Sequence, residues 1–317
     1  MSIVQWILPI IFAFLMGITF VQYLTVHPLR MSLYLVIALV LLFGLILMFI
    51  FIIERRNALW ISILSVLFFV TGYWVMTKRI LSQSDPREIP KLTRTRSEKG
   101  DGHTAVVYFT HGEPETYNPI GWINQFREFD EQGIRFIPFL ARPVFIYMLR
   151  NKYLQVGKSD HRKMHLQMMK RLEQSFRSDG DDSTKFYISF LDDDPRPDAA
   201  AIRALNEGAG NIIVSEVFLT ISNHTAEGED LIKALNIEEN FGINVRYTGP
   251  LWNSQLLQQM FVMRVNKTRG STPKEKVGIL LVGHGQPDEW DVEWPTETEQ
   301  EIRFREEVLK LFIEDGY

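Results

Sequence analysis

The chain has 317 residues, 46% of them hydrophobic, and its 34 Lys and Arg against 38 Asp and Glu leave a formal net charge of −4. That balance excludes the strongly basic surface of a nucleic-acid-binding protein. With no cysteine, the chain also excludes disulfides, a thiolate nucleophile and any cysteine-ligated cluster of its own.

The apolar surplus sits at the start. Ile3 to Leu24, Met31 to Ile53 and Ala58 to Met76 contain no charged residue, and each is close to the ~20 residues a helix needs to cross a bilayer. Residues 1–79 are therefore expected to form three transmembrane helices, making the protein an integral, multi-pass membrane protein with the lipid bilayer as a partner. Lys78, Arg79, Arg87, Lys91, Arg94 and Arg96 follow the third span, and Arg30 lies in the loop on the same side; only Arg55 and Arg56 oppose them. The positive-inside bias predicts an external N-terminus and a cytoplasmic remainder. Trp60, Tyr73 and Trp74 are expected as interfacial anchors, and the basic stretch 78–99 against anionic headgroups.

Residues 80–103 read as a polar linker. Beyond them strands are expected at Val106 to Thr110, Arg135 to Leu140, Phe186 to Leu191, Asn211 to Leu219 and Ile243 to Tyr247. Helices are expected at Ile120 to Gln132, Pro143 to Leu154, from Ser159 or Asp160 through Phe176, and at Asp198 to Glu207, Ala226 to Leu235 and Ser254 to Val265. Such alternation is the pattern of an α/β fold, a mostly parallel sheet with helices on both faces.

Val106-Val-Tyr-Phe-Thr-His-Gly-Glu-Pro-Glu115 reappears as Ile279-Leu-Leu-Val-Gly-His-Gly-Gln-Pro-Asp288. Each copy reads as a buried strand ending in a His-Gly-x-Pro turn, and open α/β sheets place ligands at such strand ends. Duplicated half-domains follow, a first at 104–270 and the start of a second at 271–317. His111 and His284 are thereby expected to face one cleft. The second copy stops after one strand and one helix, which predicts a missing C-terminal half or self-association.

At this point the residues resemble a family. Val106 to Tyr317 resembles the class II chelatases, ferrochelatase and the sirohydrochlorin cobaltochelatases. Gly112-Glu-Pro-Glu115 is similar to the ferrochelatase opening, and Tyr153-x-x-Val156-Gly157-x-Ser159 resembles its Tyr-x-x-Ile-Gly-Gly-x-Ser-Pro segment, with Lys158 in place of the second Gly and Asp160 in place of the Pro. Pro197 to Leu205, Gly208 to Gly210 and Ile212 to Asp230, with Phe218, Leu219 and His224, are closer to the cobaltochelatase pattern. The resemblance implies insertion of Fe2+, Co2+ or Ni2+ into a tetrapyrrole, the metal being a substrate. It implies His284 as base and metal ligand, and His111 and His224 as metal ligands. His111, Glu113, Tyr153 and Glu216 are the expected tetrapyrrole-binding residues. The alternative is a membrane-bound metal- or tetrapyrrole-binding protein derived from the same fold and lacking catalysis. Imidazole suits either, since its ordinary pKa near 6.5 leaves a lone pair for a proton or a metal.

Other conspicuous residues have plainer readings. Asp192 to Asp194 reads as the N-terminal cap of the next helix. Glu216 interrupts an apolar strand, pointing either into the cleft or to an exposed edge. His161 and His165 have the spacing of a metal pair, but Arg162, Lys163 and Lys170 mark a solvated face. Met164, Met168 and Met169 read as packing residues, and Gly208 and Gly210 as turn residues.

Overall fold

The computed structural model describes residues 3–83, 89–131, 133, 137–286 and 288–317. The chain divides into two compact units, Met1–Arg87 with Pro114–Ser159, and Glu88–Glu113 with Asp160–Tyr317. The short strand expected at 135–140 falls partly outside the described residues, and its described end, Phe139–Ala141, is a turn of 3-10 helix instead.

In the first unit the three uncharged runs form α1 (Val4–Thr25), α2 (Pro28–Phe51) and α3 (Arg55–Leu81), each long and apolar enough to cross a membrane. Pro28 suits the first turn of α2, where its missing N–H has no helical acceptor to lose. α1 and α3 meet through glycine. A Cβ on Gly17 would lie 2.2 Å from the Phe69 carbonyl oxygen, and one on Gly72 would lie 2.2 Å from that of Phe14. Small residues let apolar helices approach this closely. α2 buries only Met48 and leaves Leu39, Val40 and Phe43 exposed, a surface that water would penalise and a bilayer accepts.

Pro114–Ser159, which sequence order places inside the α/β half, contributes α4 (Pro119–Glu131) and α5 (Arg142–Val156) to this first unit. Ile123, Phe126 and Ile146 pack with Val21 of α1 and with Met76 and Ile80 of α3. A helix C-terminus leaves carbonyls without partners, and side chains of the inserted segment supply them for α1. The fully buried Arg150 donates from Nη1 to the Tyr23 and Val26 carbonyls at 2.7 and 3.0 Å, and Tyr117 donates its hydroxyl to Thr25 O at 3.3 Å.

The second unit holds a four-stranded parallel sheet of β1 (Thr104–Thr110), β2 (Lys185–Phe190), β3 (Asn211–Glu216) and β4 (Asn244–Tyr247), in the order β2-β1-β3-β4. Its connections carry α6 (His161–Ser178), α7 (Pro197–Asn206), α8 (Asn223–Lys233) and α9 (Ile237–Phe241), with α10 (Gln255–Arg269), α11 (Asp288–Glu293) and α12 (Pro295–Glu314) following. β1 is central and buried from Ala105 to Thr110, so its apolar run is unbroken rather than alternating. The connection from β1 leads to β2 on one side and that from β3 leads to β4 on the other. The strand order therefore switches between the C-terminal ends of β1 and β3, the place where such sheets open a crevice.

Two sequence expectations are corrected. The later part of the polar linker is built into the α/β unit: Asn206 at the end of α7 accepts from Thr93 N at 2.8 Å, and Arg94 Nη1 donates to the Leu205 carbonyl at 3.3 Å and the Ala209 carbonyl at 2.5 Å. Arg94, counted among the charges facing lipid headgroups, is committed to those carbonyls. The strand expected at the start of the second copy is absent. Residues 277–283 carry no regular structure and lie outside the sheet, with Leu280 86% and Val282 80% exposed. Apolar sequence alone makes no strand, because the backbone needs a neighbouring strand for its hydrogen bonds; among the described residues none is offered.

Gly72→Leu should force α1 and α3 apart at a cost of about 1–3 kcal/mol, read as a lowered thermal midpoint of the detergent-solubilised protein. Thr71→Leu, at an exposed neighbour, should leave the midpoint unchanged.

Candidate functional site

His111 follows β1 and His224 stands in the first turn of α8, which follows β3, so the two imidazoles lie at the strand-order switch. Their ring centroids are 4.7 Å apart and the rings are nearly perpendicular. His111 is anchored by its carbonyl, which accepts from Asp192 N at 2.8 Å, and its Nδ1 lies 3.1 Å from both Asp192 Oδ2 and the Gly112 carbonyl. His224 is placed by the start of α8, where Ser222 N donates to Thr225 Oγ1 at 2.9 Å. Gly228 then lets α8 lie against β1: a Cβ there would be 2.1 Å from the Phe109 ring. Burial pushes the His224 pKa down to about 4, with positive charge on His111 or His284 adding to the effect. The ring is thus neutral near pH 7.

His284 joins the same unit from the other copy of the motif. It lies within electrostatic reach of His224, is exposed, and donates its backbone N–H to Glu301 Oε1 at 3.3 Å. Its turn is tied down by Gln286 Nε2, which donates to Asp291 Oδ1 at 2.6 Å and to the Trp294 carbonyl at 3.0 Å; Pro287 lies outside the described residues. Glu297 and Glu301 lie four residues apart at the start of α12. Burial first and the Glu301 charge second raise the Glu297 pKa, while His284 opposes them. Trp290 sets its ring edge-on to His224 at 6.0 Å. Beside His284 an apolar cavity of about 330 Å³ is lined by Leu219, Phe261, Phe304 and Phe312 among others.

The remaining expected residues are distributed differently. Glu113 acts electrostatically on His161. Tyr153 belongs to the first unit, where its hydroxyl donates to the Pro114 carbonyl at 3.3 Å. Glu216 takes neither an exposed edge nor a place bonded to the imidazoles: it is 2% exposed, and its neighbours are Glu229 and Lys233 of α8 and the Gly249 backbone. Burial first and Glu229 second push its pKa up to about 7. The acidic run does not cap α7, whose preceding residue Arg196 supplies no side-chain cap. Asp193 instead pairs with Arg162 at 2.5 Å, and Asp192 faces His111.

The sequence reading missed Glu297, Glu301 and Trp290, and misplaced His161 and His165. The spacing of the two histidines was visible, but their face is not solvated. His165 is 8% exposed with Nδ1 3.0 Å from the Tyr108 hydroxyl, and its ring is 4.4 Å from that of His161. Burial lowers both pKa values, that of His165 to about 4. Among the described residues no group of three or more His, Asp or Glu side chains is arranged as a preformed metal cage. The strand-order switch therefore brings two imidazoles together, that of His224 neutral, with a third nearby.

The chain matches no protein-family model and no curated protein.

Because the folded pKa of Glu216 is raised above its ordinary value, the neutral form contributes stability that is full below about pH 4.5 and is lost as pH rises through about 7. The loss should amount to roughly 3 kcal/mol. Glu216→Gln should remove this slope, measured as thermal midpoints of both proteins between pH 5 and 8; a wild-type midpoint indifferent to pH over that range would contradict it.

Proposed function

We propose that this is a membrane-anchored metallochelatase, which inserts a divalent metal, Fe2+, Co2+ or Ni2+, into a tetrapyrrole. The supporting observation is the meeting of His111 and His224 at the strand-order switch, with His284 of the repeated motif in electrostatic reach of His224. On this reading 104–317 derives from the class II chelatase fold with its duplicated halves. α1, α2 and α3 span the bilayer with the N-terminus outside and the α/β unit in the cytoplasm.

The chemistry has two demands. A hydrated cation must lose water, and two pyrrole N–H groups must lose their protons. Imidazoles answer the first: His224, held unprotonated by burial, presents a lone pair that replaces water on a borderline cation, and His111, positioned by Asp192, is the second ligand. His284, exposed beside Glu297 and Glu301, answers the second as the proton acceptor. Its backbone bond to Glu301 fixes the turn that carries it.

A second reading draws support from the lack of a preformed cage among the described residues and from Lys158, which replaces a family glycine and pairs with Glu115 at 2.9 Å. On that reading the same histidines bind a metal or tetrapyrrole without turnover.

Full-length protein in liposomes, supplied with Fe2+, Co2+ or Ni2+ and a porphyrin or sirohydrochlorin, separates the two by the absorbance of the metallated ring. Chelatase activity predicts turnover that His284→Ala lowers about 100-fold or more with the melting temperature unchanged. Tight ring or metal binding with no metallation across all pairs would establish the second reading.

A further inference from the structure

We infer that α5 and the 3-10 turn before it lie within the membrane interface, with Leu140, Val144 and Met148 against lipid. This rests on the reading of α1 and α3 as spans. The supporting geometry is one of depth. At 1.5 Å per residue, Ile18 lies about 10 Å before the end of α1 at Thr25, and Tyr73 about 12 Å before the end of α3 at Leu81. Both residues fall within the uncharged runs, and both pack in the cluster that holds Ile146 of α5. The Tyr73 hydroxyl donates to the Leu140 carbonyl at 2.8 Å. The inserted segment therefore lies alongside the last turns of the two spans rather than beyond their ends.

Exposure follows the same geometry. α5 turns Pro143, Ile146 and Arg150 inward. Leu140, Val144 and Met148, four residues apart along the helical path, are 44%, 43% and 55% exposed and form one apolar stripe. Val70 and Trp74 of α3, on either side of Tyr73 in sequence, are exposed as well, so the stripe continues the apolar surface of the spans. The exposed cation of α5, Lys152, is confined to its C-terminal half, as is expected where a helix leaves the hydrocarbon boundary for water. A bilayer accepts this surface along its whole length. The segment that leaves the sheet after His111 and returns at α6 is, on this account, a monotopic membrane element in addition to the three spans.

The absence of cysteine makes the test direct. Single cysteines at Val144, Met148, Lys152 and Phe43 of α2, in full-length protein reconstituted into phosphatidylcholine and phosphatidylglycerol liposomes, are spin-labelled. Their accessibility to oxygen and to a water-soluble nickel chelate is then compared. Labels at Val144 and Met148 should show a several-fold higher oxygen-to-nickel ratio than the label at Lys152, approaching that at Phe43. With Phe43 embedded, nickel-accessible labels at Val144 and Met148 would overturn the inference. Exclusion of both reagents there would overturn it too, placing a protein partner or a second copy on the stripe. A nickel-accessible label at Phe43 would refute the spans, and this inference with them.

Discussion

The structure depends on the burial of β1. Set between β2 and β3 and covered on both faces, this strand is apolar along its middle apart from Tyr108, whose hydroxyl is paired with His165, so its free imidazole chemistry begins only where the strand ends. His111 is the first residue past that end. The parallel pairing of β1 with β3 then brings the start of α8, and with it His224, to the same edge of the sheet. Gly228 permits the close approach of α8 to Phe109, without which the two rings could not lie 4.7 Å apart. Packing in the core thus fixes the distance between two polar groups at its rim.

Burial also sets the electrostatic character of this rim. His224, His161 and His165 are all depressed in pKa chiefly by desolvation, and each imidazole discourages a charge on its neighbour. A row of neutral imidazoles keeps lone pairs available at neutral pH, whereas isolated histidines in water would be partly protonated. Glu216 shows the same principle with opposite sign. Burial beside Glu229 raises its pKa to about 7, so its carboxyl exchanges between neutral and ionised forms near neutral pH at the β3–α8 contact.

In the first unit the governing constraint is the end of a helix. The last carbonyls of α1 have no partners within the helix, and Arg150 and Tyr117 bring donors to them from a segment more than ninety residues away in sequence. These bonds, with the apolar cluster around Ile123, Phe126 and Ile146, attach the insertion to the helices. A guanidinium buried this way needs those carbonyls, because an unpaired buried charge is costly.

The sequence by itself determined the local structure that is driven by composition. Uncharged runs became α1, α2 and α3; unbroken or alternating apolar runs became β1, β2, β3 and β4; and the helices between them fell close to their expected places. It also singled out His111 and His284, because each directly follows an apolar run in a repeated motif, and His224 through the resemblance to the cobaltochelatase pattern. Partnership was not legible. The repeat at 277–283 has the composition of a strand and yet forms none, since pairing requires a neighbouring strand. The solvated face expected at His161 and His165 is buried because Tyr108 lies opposite, a contact across 57 residues. Glu297, Glu301 and Trp290 sit on helices with no motif to mark them, and only the fold of α11 and α12 beside the His284 turn brings them to the site. Pro114 to Ser159 carries no signal of its attachment to α1, because that depends on which distant carbonyls lack partners. Short-range pattern follows from the periodicity and charge of consecutive residues; burial, and with it the charge state of each histidine, is decided by the elements that pack from elsewhere in the chain.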